Sequence, residues 1–323
     1  MKPPRALTEL IDASPSILLA THIPMDGDGL GCGIALLRAL GERGHQVRFL
    51  NEAPVPPVYE FLDGFDRVEH LASDGAVPDC DLLLGLDAGD EHRLGRLFTE
   101  RPEGCKVANV DHHATNDRYG DVAWVEAHAS STGEMVHALL TAMGAEIDPT
   151  SAQALLVSLV TDTGRFSYSS TTAGCFEAAA DLVRRGANPD AIYQPLYASM
   201  PRDVLRLRSR AGESVELLAG GRAALLTIEA DYGGDLSIEE EDLKNLVDIG
   251  IALAGVQVAA LVRGLPQNGT KVSLRSKSDA ANVAELARRH GGGGHVRAAG
   301  FSADAPPREV AAALAPEIEA LVG

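Results

Sequence analysis

Aromatic residues are scarce in this chain: one Trp, six Tyr and seven Phe make up 4% of its 323 residues. A core must then be built mainly from Leu, Val and Ala, and few rings are on hand to stack a run of bases. Cysteine is rarer still. Cys32, Cys80, Cys105 and Cys175 are widely separated and form no CxxC pair, which removes the spacing of a zinc site and of a small disulfide scaffold and leaves reduced, partly buried thiols as the expectation. No apolar run approaches the roughly 20 residues of a membrane span. The opening MKPPRALTELIDASPS has the pattern of an amphipathic helix without the apolar centre of a signal peptide, so a cytoplasmic location and no membrane partner are expected. Positive charge is also short: 28 Lys and Arg face 46 Asp and Glu, a formal net charge of −18, which argues against a long cationic track for nucleic acid.

What is present is the composition of a soluble globular protein, 45% hydrophobic and 23% charged, in a length that fits two ordinary domains. The charge is uneven. Residues 263–297 hold seven Lys or Arg against two acids, and an acidic protein with one local basic patch suits a small anionic ligand better than a polymer.

Strand-like and helix-like segments alternate in the first half. SILLATH (16–22), HQVRFLNE (45–52), CDLLLGLDAGD (80–90) and KVANVDHH (106–113) read as strands, and GLGCGIALLRALGERG, STGEMVHALLTAMGA, SAQALLVSLVTDTG and AGCFEAAADLVRRG as helices. This order predicts a largely parallel α/β sheet with helices on both faces. PRDVLRLRSRAGESVELL is expected as a helix leading out of the first domain. The pattern then restarts with strands in RAALLTIEA, VQVAALVRGL and TKVSLRSKS, a helix in NVAELARRHG and a closing helix from PPREV. A catalytic α/β domain over 1–215 and a smaller α/β domain over 216–323 are predicted.

In parallel sheets ligands bind beyond the carboxyl ends of the strands, and there the polar residues gather. THIPMDGDG brings His22, Asp26 and Asp28, GLDAGD brings Asp87, NVDHHATN brings His112 and His113, and Asp162 ends an apolar helix in LVTDTGRF. Each has an ordinary alternative: an Asp-Gly turn, a helix cap, or a polar turn capped by Asp111. Together they place five or six groups at one sheet edge, where they would repel one another unless cations intervened. Carboxylates mixed with imidazoles, and no thiolate, favour manganese or a similar divalent metal. The count is enough for two ions about 3.5–4 Å apart, an arrangement that clamps a phosphoryl group and activates water.

The order HxxxDxD, a strand-end Asp, DHH and then Asp in TDTGRF resembles the DHH phosphoesterase family, and VSLRSK with GGGGHVRAAGF resembles its DHHA1 C-terminal domain. The resemblance covers nearly the whole chain. Its two-domain arrangement is most similar to the NrnA-type branch, which implies hydrolysis of very short RNAs and of 3′-phosphoadenosine 5′-phosphate (pAp). It also implies His22 and Asp26 at one ion, Asp28 and His112 at the other, Asp162 joining the first, and a catalytic Asp87 shared between them. His113 would stand beside the phosphate as a catalytic donor to it or to the leaving group. Members usually carry Asn-Pro-Asp-Gly-Asp followed by a serine; here the stretch reads IPMDGDG with Cys32 near the serine position.

The C-terminal motif has a physical reading of its own. Arg275 and Lys277 lie two apart on a strand and so share a face. The glycines of 291–294 (Gly292, Gly293 and Gly294 with the first) let main-chain N–H groups approach an anion, and His295 adds a donor; the plain alternative is a loop between helix and strand. The expected protein is a manganese-dependent phosphoesterase of short oligoribonucleotides and pAp, holding its substrate across an interdomain cleft. A cyclic-di-AMP or linear dinucleotide phosphodiesterase is the alternative within the class, and a catalytically inactive nucleotide sensor the alternative outside it. Expected partners are short RNA oligonucleotides, pAp or dinucleotides as substrates, with a homodimer among the assemblies the sequence allows.

Overall fold

Uninterrupted apolar runs such as SILLAT and LLLGL demand a sheet buried on both faces, and the N-terminal part of the protein supplies one. The computed structural model describes residues 1–230, 243, 245–265 and 269–323, which divide into two units, Met1–Ser199 and Met200–Gly323. In the first, β1 (Ser16–Thr21), β2 (Gln46–Asn51), β3 (Val68–His70), β4 (Leu82–Leu86), β5 (Lys106–Asp111) and β6 (Val122–Val125) form a sheet in the order β3-β2-β1-β4-β5-β6. Every pairing in it is parallel. The two-residue period then sorts the side chains. Ile17, Leu19, Leu82, Leu84, Ala108 and Val110 join the large cluster on one face, while Leu18, Ala20, Leu83 and Val107 join a smaller cluster on the other.

The main helices crowd the first face: Gly27–Glu42, Thr132–Ala142, Pro149–Asp162 and Ala173–Arg184 all contribute buried residues to the large cluster. Their starts are written in the sequence. Asp26 caps the first by accepting from the Asp28 and Gly29 amides, Ser131 caps the second from Glu134 N, and Asp148 with Pro149 opens the third. The opposite face is covered more thinly, by the short helices Glu91–Leu94 and Arg96–Thr99 with Leu94 and Leu97 pointing in.

The second unit is a mixed sheet in the order β11-β12-β10-β9-β8-β7, made of β7 (Glu216–Leu218), β8 (Ala223–Ile228), β9 (Val258–Gly264), β10 (Thr270–Ser276), β11 (Gly293–His295) and β12 (Ala298–Ala303). Alternation is again legible. Ala223, Leu225, Val258, Ala260, Val272 and Leu274 face helices Val283–Arg289 and Pro307–Val322, whereas Ala224, Leu226, Ala259 and Leu261 face the other way. Helix Arg202–Glu213, expected to lead out of the first domain and run to residue 218, stops at Glu213. It packs Leu207 and Ala211 into this second cluster, and so goes with the unit Met200–Gly323.

Candidate active site

β1 and β4 are neighbours whose onward connections run to opposite sides of the sheet, which opens a crevice beyond their carboxyl ends. His22 follows β1, Asp87 follows β4, and Asp111 to His113 close β5. His22 Nε2 lies 3.3 Å from Asp26 Oδ2 and 3.4 Å from Asp87 Oδ2. His112 Nε2 lies 3.3 Å from Asp162 Oδ2, 3.7 Å from Asp87 Oδ1 and 3.8 Å from Asp28 Oδ2. Three overlapping groups result: His22, Asp26 and Asp87; Asp28, His112 and Asp162; and Asp87, His112 and His113. In each, the potential ligand atoms lie within 4.8 Å of one another.

Local structure explains how each side chain arrives. Asp26 is the half-buried N-cap of its helix, while Asp28, two residues on, is buried and turns inward. Asp28 accepts hydrogen bonds from the Thr132 and Gly133 amides at 2.7 and 2.9 Å, from the Ser158 hydroxyl, and from the Cys32 thiol at 3.7 Å. A carboxylate at the first turn of helix Thr132–Ala142 is stabilised by that helix's unpaired amides. Asp87 adopts a left-handed backbone, φ 55°, a conformation aspartate tolerates better than most residues, and Thr132 Oγ1 donates to its Oδ1 at 3.0 Å.

The three consecutive residues of the DHH triplet divide their work. Asp111 sits at the last rung of β5, fully buried, and accepts from Asn116 Nδ2 and from His113 Nδ1 at 2.6 and 2.7 Å. His112 turns toward Asp28 and Asp162, with Nδ1 3.3 Å from the Ala129 carbonyl. Asp162 therefore groups with Asp28 and His112, and not with His22 and Asp26 as the family pattern had suggested. Sequence reasoning treated Asp111 only as a turn cap and passed over Thr132 and Asn116. Asp111's place inside the motif was the one available signal.

The electrostatics follow from gathering so many acids. Burial alone would lower His22, but the hydrogen bonds its ring N–H donates to Asp26 and Asp87 outweigh it and carry the imidazole to about 10. His112 is likewise opposed by burial yet raised to about 9 by Asp162, Asp28 and Asp87. Burial lifts Asp162 to about 6 against the pull of His112, and burial with the Asp87 and Asp162 charges pushes Asp28 well up. Protons here do what a cation would do better. Oxygen and nitrogen donors without a thiolate, in groups of three each within one cation's reach, fit a divalent metal.

Comparison with known proteins agrees. Residues 16–159 match the DHH family, N-terminal domain, and residues 222–322 match the DHHA1 domain. The chain belongs to the DHH/DHHA1 phosphoesterase family. It is 29% identical over 302 residues to the bifunctional oligoribonuclease and PAP phosphatase NrnA of Thermus thermophilus, covering 92% of this chain and 87% of that protein. It is 27% identical over 306 residues to the cyclic-di-AMP phosphodiesterase GdpP of Geobacillus thermodenitrificans, covering 90% of this chain and 45% of that protein. The crystal structure of an exopolyphosphatase-related protein from Bacteroides fragilis shares the fold, with a TM-score of 0.90, 21% identity, and coverage of 98% and 96% of the two chains.

Cys32 stands one turn after Asp28, and its thiol donates to Asp28 Oδ1 at 3.7 Å with the Ser158 hydroxyl 4.0 Å away.

In the DHHA1 unit, β10 ends at Ser276, so Lys277 lies just past the strand, held by a bond from its amide to the Gln257 carbonyl. Its Nζ reaches the Leu253 carbonyl at 3.4 Å, and Arg275 Nε lies 3.5 Å from Asp248 Oδ1. Register places Ala298 opposite both Arg275 and His295. Directly paired residues share a face, so Arg275 and His295 flank a small side chain on one side of the sheet. The glycines divide. A Cβ on Gly292 or Gly294 would collide with the carbonyls of Gly300 or Ala298, whereas Gly293 faces open space. Edge strand β11 can lie against β12 only without side chains at Gly292 and Gly294.

Proposed function

We propose that this protein is a manganese-dependent phosphoesterase of the cytoplasm that hydrolyses short oligoribonucleotides and pAp, using two divalent ions held by His22, Asp26, Asp28, Asp87, His112 and Asp162. The observation that carries the reading is that Asp87 presents one oxygen to the His22 group and the other to the His112 group. Bound there, two such cations supply a nucleophilic water at neutral pH and neutralise charge on the phosphoryl oxygens. Thr132 fixes the rotation of Asp87 through its hydroxyl. His113 is held through Nδ1 by the buried Asp111, whose hydrogen bond raises the imidazole's affinity for its proton against the effect of burial. That arrangement suits a donor to a phosphoryl or leaving-group oxygen. Arg275, Lys277, His295 and the open main chain at Gly293 bind a nucleotide or terminal phosphate, consistent with the sparse positive charge of the chain.

A second reading, a cyclic-di-AMP or linear dinucleotide phosphodiesterase, is favoured by the GdpP relative. The deciding experiment measures manganese bound per chain and kcat/KM on pAp, a linear diadenylate and cyclic-di-AMP. Turnover of pAp and the linear dinucleotide well above that of the cyclic one is expected. The reverse preference selects the second reading, and tight nucleotide binding without turnover identifies an inactive sensor.

A further inference from the structure

Cys80 precedes β4 and Cys105 precedes β5. The parallel register that sets Leu82 beside Lys106 brings their sulfurs to 3.1 Å, with both residues unbridged. The pair sits where these strands begin, whereas Asp87 and Asp111 lie where they end. At about 3.3 Å per residue the two sites are separated by roughly 20 Å along the strand.

We propose that Cys80 and Cys105 are a modification site: hydrogen peroxide converts them to a reversible intrachain disulfide that leaves the phosphoesterase site intact. A disulfide needs its sulfurs at about 2.0 Å, so closing the gap takes rotation of the two side chains without moving the strands apart. The sulfur–sulfur hydrogen bond, the Leu83 amide and the Arg101 charge all favour the Cys105 thiolate. Against burial, these hold the Cys105 thiol below its ordinary range while Cys80 goes up. Thiolate is the nucleophile, which makes Cys105 the attacking sulfur. It takes one oxygen of the peroxide, the O–O bond breaks, and the departing hydroxide leaves as water with the Cys105 proton. The Cys80 sulfur then attacks the resulting sulfenic acid, the S–O bond breaks, and the hydroxide leaves as water with the Cys80 proton. Two thiols are oxidised by two electrons and one peroxide is reduced to two waters.

The oxidant has a way in. Cys80 lines a surface cavity of about 290 Å³ with Ser16, Gln46, Arg48 and Asp79, and the sulfur of the buried Cys105 lies 3.1 Å from the Cys80 sulfur, so the oxidant reaches the pair from the Cys80 side. Cys32 and Cys175 differ: both are fully buried, and burial pushes each thiol up.

The test uses the full-length reduced protein treated with one equivalent of hydrogen peroxide, alkylated, and digested without reductant. The expected product is a single linked peptide pair containing Cys80 and Cys105, two hydrogens lighter than the thiols. Denatured protein should show two titratable thiols instead of four, and dithiothreitol should restore the four. Cys80→Ser should trap a dimedone-reactive sulfenic acid at Cys105, and Cys105→Ser should slow oxidation of the remaining cysteine. Turnover on the best phosphoester substrate should be unchanged by the disulfide. Chains linked to one another, Cys105 oxidised alone in the unsubstituted protein, or activity lost in step with linkage would each overturn the proposal.

Discussion

Asp87 is the residue on which the site turns, because among the described residues it alone touches His22, His112, His113 and Thr132. Asp87→Ala is expected to abolish hydrolysis and to lower manganese stoichiometry measured by equilibrium dialysis; near-normal turnover with full metal content would remove it from the site. His112 and His113 should part company. His112→Ala should lose metal, while His113→Ala should keep it and slow the chemical step, and Asp111→Asn should follow His113 with about a 10–100-fold loss. Equal metal loss in His112→Ala and His113→Ala would assign His113 as a ligand instead. The pH dependence follows from the raised imidazoles. In the metal-free protein His22 at about 10 and His112 at about 9 stand above their ordinary 6.5. The folded state therefore binds more protons than the unfolded one between 6.5 and these values. Stability from these groups is complete below 6.5 and is lost as pH rises through 9 and 10. Manganese needs the neutral imidazole, so its affinity should climb over the same window. Thermal midpoints from pH 7 to 10 should thus fall in EDTA and be progressively rescued by manganese; a flat EDTA curve would remove the linkage.

At the scale of elements, the site depends on how closely helix Gly27–Glu42 lies on helix Pro149–Asp162. Gly31 faces the Ala154 carbonyl, where a Cβ would sit well inside van der Waals contact with backbone that cannot swing aside. The first helix carries Asp28 at its start and the second carries Asp162 at its end. Gly31→Ala should therefore do two things at once. Overpacking should destabilise the fold by about 1–3 kcal/mol, and the forced separation should weaken metal binding although no ligand is changed. Urea unfolding and manganese titration of this variant test both. A variant with the parent's unfolding midpoint would mean that the helices part at no cost.

For the whole molecule, charge sets the range of substrates. A protein at −18 repels a polyanion except where its few cations lie, and affinity for long RNA comes mostly from neutralised phosphates. Efficiency should be best for pAp and RNAs of roughly two to five nucleotides, the limit implied by so few phosphate contacts. It should fall as added nucleotides meet an acidic surface. The measurement is kcat/KM for single-stranded RNAs of increasing length at fixed ionic strength with manganese present. Constant or rising efficiency to about twenty nucleotides, with a steep salt slope, would reveal a polymer track.

Strand ends and the Asp and His residues gathered at them were legible in the residues themselves, because an apolar run that stops at Asp or His is a local pattern. So were the parallel N-terminal sheet and the DHH and DHHA1 pairing, which the alternation of elements and the motifs already implied. Elements held by their neighbours were not legible. Val68–His70, Val122–Val125 and Gly293–His295 are three or four residues long, too short to show a period, and become strands only because a longer strand offers them a ladder. The same holds within the site. Asp162 beside His112, the Thr132 and Gly133 amides on Asp28, and Cys80 against Cys105 join residues far apart in the chain. Asp111 shows the division most plainly: its identity was visible in the motif, but its role was decided when β5 buried its carboxylate where His113 and Asn116 fold back to meet it. Residue type and spacing determine which chemistry is available, whereas the packing of distant segments decides which partner each group finds and hence which proton it holds.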